Sequence, residues 1–136
     1  MNTYNINDQN FINSSLYKEF ITENPSNGYL RIRAYAANQA IPMSNVKIVI
    51  STEYKNNNII FFEGYTDSSG VIEKVSLPTP ALDQNDLDIP SSTTYDVNVT
   101  YAPDNIDQVY KVNMYEDICV VQNISIVPNT GIEGGL

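Results

Sequence analysis

Enzymatic chemistry needs a nucleophile, a proton carrier or a metal cage, and this sequence is poor in all three. None of its 136 residues is a histidine. Ser–His and Cys–His pairs are therefore excluded, as are zinc sites built on imidazole. The single cysteine, Cys119, lies between Ile118 and Val120, just after Glu116 and Asp117. A reactive thiolate needs basic neighbours, so Cys119 reads as a packed or inert thiol. One cysteine also cannot close an internal disulfide. Carboxylates are plentiful, but none stands with a nucleophile or a pocket motif. The chain reads as non-enzymatic, and no cofactor is implied.

Three weaker chemical signals remain. Asp83, Asp86 and Asp88 place hard oxygen ligands in one segment, as calcium prefers, and Asp67, Asp104 and Asp107 could add to them. The spacing and the distal glutamate of an EF-hand are missing, so a solvated acidic loop is the plainer reading, with calcium as its alternative. Lys47 could be an isopeptide donor. It faces away from Val46, Ile48 and Ile50, however, and Tyr95–Tyr101 lacks the glutamate such bonds use, so it reads as a surface lysine. Val127–Gly131 has the look of a sorting pentapeptide, but neither an apolar span nor basic residues follow it. The triplets at Asn13, Asn98 and Asn123 match a glycosylation signal by chance in an asparagine-rich chain.

Residues suited to contact are better represented. Ten Tyr and four Phe occur with no Trp. If Leu30, Ile32 and Ala34 point inward on a strand, Tyr29, Arg31, Arg33 and Tyr35 share its outer face. Tyrosine with arginine is the composition of a protein–protein interface. That face is equally a place for an N-terminal helix to lie down. The helix itself is expected over Asp8–Thr22, with Asp8 as N-cap. Phe11, Ile12, Leu16, Tyr17 and Phe20 form its apolar stripe, offered either to the chain's own core or to a neighbour.

The elements that position these residues follow from periodicity. Residues 1–27 form a helical extension, stopped by Asn24–Gly28. From Gly28 the period becomes two. Strands are expected around Leu30–Ala34, Val46–Ile50, Ile59–Thr66, Val71–Leu77, Tyr95–Tyr101, Val109–Met114 and Ile118–Val127. Ala40–Pro42 breaks the chain after the first of these. Asp67–Gly70 makes a tight turn, because aspartate bonds the backbone ahead and glycine supplies positive φ. Seven short strands with turn signals between them predict an all-β, seven-stranded antiparallel sandwich over 28–128, followed by a glycine-rich tail, 129–136.

The net charge of −9 repels phosphate, which sets aside nucleic acid and anionic membranes as partners. No apolar run approaches a membrane span, and no signal peptide is visible. A protein made in the cytoplasm without a signal peptide is expected.

The runs Gly28–Tyr35, Ile41–Ile50, Tyr65–Gly70, Leu77–Pro80 and Tyr95–Val99 resemble a carboxypeptidase-regulatory-like domain, the transthyretin-like or prealbumin-like Greek-key sandwich. Leu77–Pro80, the long loop after it and the closing Ile126–Pro128 are similar to the N-terminal domain of clostridial spore cortex-lytic enzymes. The resemblance covers about residues 28–128 and implies an accessory domain, not peptidase activity. The leading expectation is a structural or assembly subunit that binds copies of itself or other subunits in a large extracellular particle, either a phage or phage-tail-like virion or a spore layer. A regulatory or propeptide-like partner of a peptidoglycan hydrolase is the alternative, and a carbohydrate-binding adhesion module is a third.

Overall fold

The computed structural model describes residues 1–36, 40–82 and 91–127. Its elements in chain order are β1 (Thr3–Asn5), α1 (Gln9–Ile12), α2 (Ser15–Glu23), β2 (Ser26–Ala36), β3 (Ile41–Pro42), β4 (Lys47–Tyr54), β5 (Asn57–Tyr65), β6 (Val71–Thr79), β7 (Thr93–Tyr101), β8 (Ile106–Met114) and β9 (Cys119–Ser125). One sheet runs β1-β5-β4-β7-β8. In the other, β2 is flanked by β6 and β9, with β3 pairing at its far end. The fold is mostly β, as the periodicity predicts.

Two parts of that expectation need correction. Nine strands occur among the described residues where seven were expected, and the sheets are mixed rather than antiparallel. The added strands are β1 and β3, two to three residues each and too short to carry a period. β1 lies parallel to β5, and β9 lies parallel to β2. Period-two alternation fixes which face a residue takes, not which way its neighbour runs.

Turn chemistry sets several registers. Asp67 accepts the backbone N–H groups of Ser69 (2.9 Å) and Val71 (3.0 Å), and Gly70 follows at φ 75°. A Cβ on Gly70 would lie 2.4 Å from the carbonyl oxygen of Ala34, so this turn is built against β2 and admits only glycine. Lys55 and Asn56 both take positive φ, giving the β4–β5 hairpin the two-residue geometry that matches strand twist. Thr66, buried after β5, donates to the Met43 carbonyl and accepts from the Val46 N–H, tying the entry of β4 to the exit of β5.

The core lies between the sheets. Leu30, Ile32, Ile48, Ile50, Leu77, Val97, Val99 and Ile124 are fully enclosed. Tyr95 is also enclosed, and its hydroxyl donates to the Pro78 carbonyl. Burial pushes this phenol well above its ordinary value.

The expected single helix is two. Asp8 caps α1 by accepting from the Asn10 N–H, as expected, but Ser14 caps a new helix by accepting from the Tyr17 N–H. Serine competes well as a cap and breaks the run there. The two helices pack on the chain's own sandwich. Phe20 meets Tyr54 at 5.1 Å and Phe61 at 5.5 Å between ring centroids, and Phe61 in turn meets Tyr95 at 5.6 Å. Glu19 pairs with Lys55 and Glu23 accepts from Tyr54, so polar contacts fix the same junction. Asn24, buried at the exit of α2, donates to the Phe20 carbonyl and accepts from Thr93. No helix among the described residues is long and apolar enough to cross a membrane.

Candidate protein-interaction face

β2 alternates cleanly. Leu30 and Ile32 are 0% exposed and Ala34 2%, so Tyr29, Arg31, Arg33 and Tyr35 point to the other side of the sheet. Tyr29, Arg31 and Tyr35 are half-buried, and Arg33 is exposed. The helices lie against the β4–β5 hairpin, so they do not cover this row.

Its neighbours come from two distant segments. Along β9 the parallel register sets Cys119 beside Tyr29, Val121 beside Arg31, Asn123 beside Arg33 and Ser125 beside Tyr35. On the other side the pairing steps from Leu30–Val75 to Ile32–Ile72. Arg31 is therefore opposed by two residues, Glu73 and Lys74, in a β-bulge. The bulge turns both outward. Glu73 sits 3.6 Å from Arg31, and the Lys74 ammonium lies 4.4 Å from the Tyr29 ring centroid.

Solvent-facing charges at this separation contribute about 0–1 kcal/mol, so the ion pair does not consume Arg31. The Arg31 Nε is enclosed and has no hydrogen-bond partner among the described residues. A chain with seven basic residues thus gathers three of them, Arg31, Arg33 and Lys74, on one sheet face between two tyrosines. Val121, 48% exposed, adds an apolar floor.

The remaining predicted contact residues sit elsewhere. Phe11 and Phe20 are buried in the chain's own core and have little surface left for a neighbour. Ile12, Leu16 and Tyr17 are half-buried against that core. Phe11 also stacks on Tyr4 at 4.8 Å and meets Tyr17 edge-on at 5.3 Å. Cys119, expected to be packed or inert, is not packed: its register with Tyr29 puts it exposed on the outer face. Lys47 is exposed, as its position in the alternation predicts.

Asp83, Asp86 and Asp88 lie outside the described residues. Asp67 is engaged in its turn, and no group of three potential metal ligands occurs among the described residues. Periodicity alone could not find Glu73, Lys74 or Val121, because a bulge and a long-range parallel pairing bring them to the row.

A concavity of about 310 Å³ opens away from this row. Ser44, Asn45, Lys47, Tyr65, Thr100 and Tyr101 line it, with Tyr65 60% exposed.

No family model matches the chain, and no curated protein matches it. Among solved structures it is similar to the crystal structure of (S)-allantoin synthase, at 12% identity and a TM-score of 0.47 over 80% of this chain and 45% of that one. It is also similar to 3-chlorocatechol 1,2-dioxygenase from Rhodococcus opacus 1CP, at 9% identity and a TM-score of 0.41 over 74% of this chain and 60% of that one. The chain thus spans about half the length of these proteins. Neither likeness bears on what it does.

Proposed function

We propose that this chain is a non-enzymatic assembly subunit that docks on neighbouring proteins through the outer face of β2. One observation carries the reading, the row Tyr29–Arg31–Arg33–Tyr35 left uncovered by the helices. Aromatic and arginine side chains on a pre-formed sheet supply contact area at little entropic cost, which suits interface anchors. The setting we infer is a large extracellular particle, a phage or phage-tail-like virion or a spore layer. The carboxypeptidase-regulatory-like, transthyretin-like family belongs to the same reading. Its support is that seven strands remain once the short β1 and β3 are set apart.

Lys74 makes the test direct, since its amine stands over Tyr29 on that face. An amine-reactive cross-linker applied to the assembled source particle should join Lys74 to a neighbouring subunit in preference to Lys18, Lys47, Lys55 and Lys111. Cross-links spread evenly over all five lysines, or a chain that purifies alone from that particle, would overturn the reading.

The cleft beside Tyr65 favours a second reading, carbohydrate adhesion. An exposed tyrosine ring next to Asn45, Lys47 and Thr100 offers one stacking surface with donors and acceptors around it. Loss of cell-wall polysaccharide binding on Tyr65→Ala is the expected result. No binding by the intact chain would end this reading.

A further inference from the structure

Resting on the reading of the β2 face as an interface, we propose that its partner is an extended acidic protein segment, with carboxylates at two alternate positions and apolar side chains at the next alternate position on either side. The spacing comes from the strand. Residues two apart on a strand face are separated by roughly 7 Å, so Arg31 and Arg33 stand that far apart, with Tyr29 and Tyr35 a further step beyond each. A partner strand repeats the same step, so carboxylates two residues apart on one of its faces meet both guanidinium groups at once. Adjacent carboxylates point to opposite faces and cannot.

The donors are in place. Arg33 is exposed, and Arg31, whose Nε is enclosed, touches Glu73 only loosely through its terminal amine and keeps the outer end of its guanidinium for a partner. Guanidinium matches carboxylate as a planar fork, which favours acidic side chains over backbone carbonyls. Tyr29, already beneath the Lys74 ammonium, and Tyr35 offer the apolar ground at the two ends.

Charge sign decides against the simplest competitor. Two copies meeting face to face would set three cations, Arg31, Arg33 and Lys74, and one carboxylate, Glu73, against the same set, a net like charge that disfavours the arrangement. The chain's net charge of −9 repels an acidic partner at long range, but charges beyond about 8 Å are screened at physiological ionic strength. The local cations therefore govern the contact.

A fluorescein-labelled heptapeptide tests this, with glutamate at its third and fifth positions, isoleucine at its first and last, and threonine elsewhere. Fluorescence anisotropy with the full chain should show saturable binding. The affinity should fall about tenfold in Arg31→Gln/Arg33→Gln, and by a similar factor when the two glutamates are moved to adjacent positions. Both arginines point away from the core, and an unchanged near-UV circular dichroism spectrum checks the fold of the variant.

Equal binding of the two peptides overturns the spacing argument, and no saturable binding by the intact chain overturns the proposal. If Lys74 nevertheless cross-links to a neighbour in the particle, only the partner's chemistry is wrong and the interface stands. Concentration-dependent self-association abolished by Tyr35→Ser would assign the face to a second copy, and so overturn the acidic partner.

Discussion

Replacing Phe20 by alanine asks whether the N-terminal helices belong to the fold or merely decorate it. The ring is 2% exposed and lies within 5.5 Å, centroid to centroid, of both Tyr54 and Phe61. A phenylalanine buries roughly 150–250 Å². At about 25 cal/mol per Å² the ring contributes up to about 4–6 kcal/mol, an upper bound because the unfolded chain already hides some of that area. Buried Phe→Ala substitutions cost about 3–5 kcal/mol, cavity included, and that is the expected loss here. Against a total stability of about 5–15 kcal/mol, this takes about a fifth or more of the margin. Equilibrium urea denaturation, followed by circular dichroism and tyrosine fluorescence together, measures it. Leu16→Ala, half-buried on the same helix, should cost clearly less. A loss below about 1 kcal/mol for Phe20→Ala would refute the reasoning, because α2 would then be dispensable to the core. The same logic predicts that removing residues 1–27 unfolds or aggregates the chain instead of yielding a trimmed, folded sandwich.

Gly70→Ala should destabilise by at least about 2 kcal/mol, since it combines a positive φ with a Cβ driven into the Ala34 carbonyl; the denaturation midpoint reads it. Asn24→Ala removes the acceptor of the Thr93 hydroxyl and one of the two bonds to the Phe20 carbonyl, which keeps the backbone N–H of residue 24, and should cost about 1–3 kcal/mol by the same assay. Glu116 is held below the ordinary glutamate value, first by the Ser26 hydroxyl and then by the Leu82 N–H. A depressed carboxylate stabilises the fold above its unfolded pKa of about 4.5, and that contribution is lost as pH falls through the folded value. Glu116→Gln should therefore lower the denaturation midpoint near pH 7 and converge with the parent as pH falls below the unfolded value and through the folded one; a gap that stays constant as pH falls would refute the linkage. The Tyr95 phenol is raised by burial, so its contribution holds below its unfolded pKa of about 10 and is lost as pH rises. Ultraviolet titration should show one tyrosine ionising only together with alkaline unfolding.

Most of what places the candidate face was written in local alternation. Leu30, Ile32 and Ala34 declared one side of β2, and that assigned Tyr29, Arg31, Arg33 and Tyr35 to the other. The Asp67–Gly70 turn was equally local, because aspartate and glycine carry its mechanism in their own side chains. What alternation could not carry was partnership. Nothing near Cys119 or Val121 says that they run beside β2, and nothing near Glu73 says that one residue of β2 opposes two of β6. The division of the helix at Asn13–Ser14 was missed for a related reason: the apolar stripe at spacing four continues across the break, and only the capping hydroxyl of Ser14 marks it. Exposure of Cys119 followed from the same gap, since a cysteine in an apolar run reads as core until its register is known.

The pairing of β2 with β9 has a consequence for how the chain is made. Ser26, at the start of β2, donates to Glu116, a residue 90 positions later, and the parallel ladder begins just beyond it. A ribosome adding about 5–20 residues per second holds β2 with one edge unpaired for several seconds before its partner is synthesised. During that interval the row of tyrosine and arginine side chains stands on a sheet that is not yet complete. Closure of the second sheet is thus a late event, and a chain cut short before Cys119 presents no finished face. A partner that reads the full sheet would therefore distinguish finished copies from partial ones by the presence of β9.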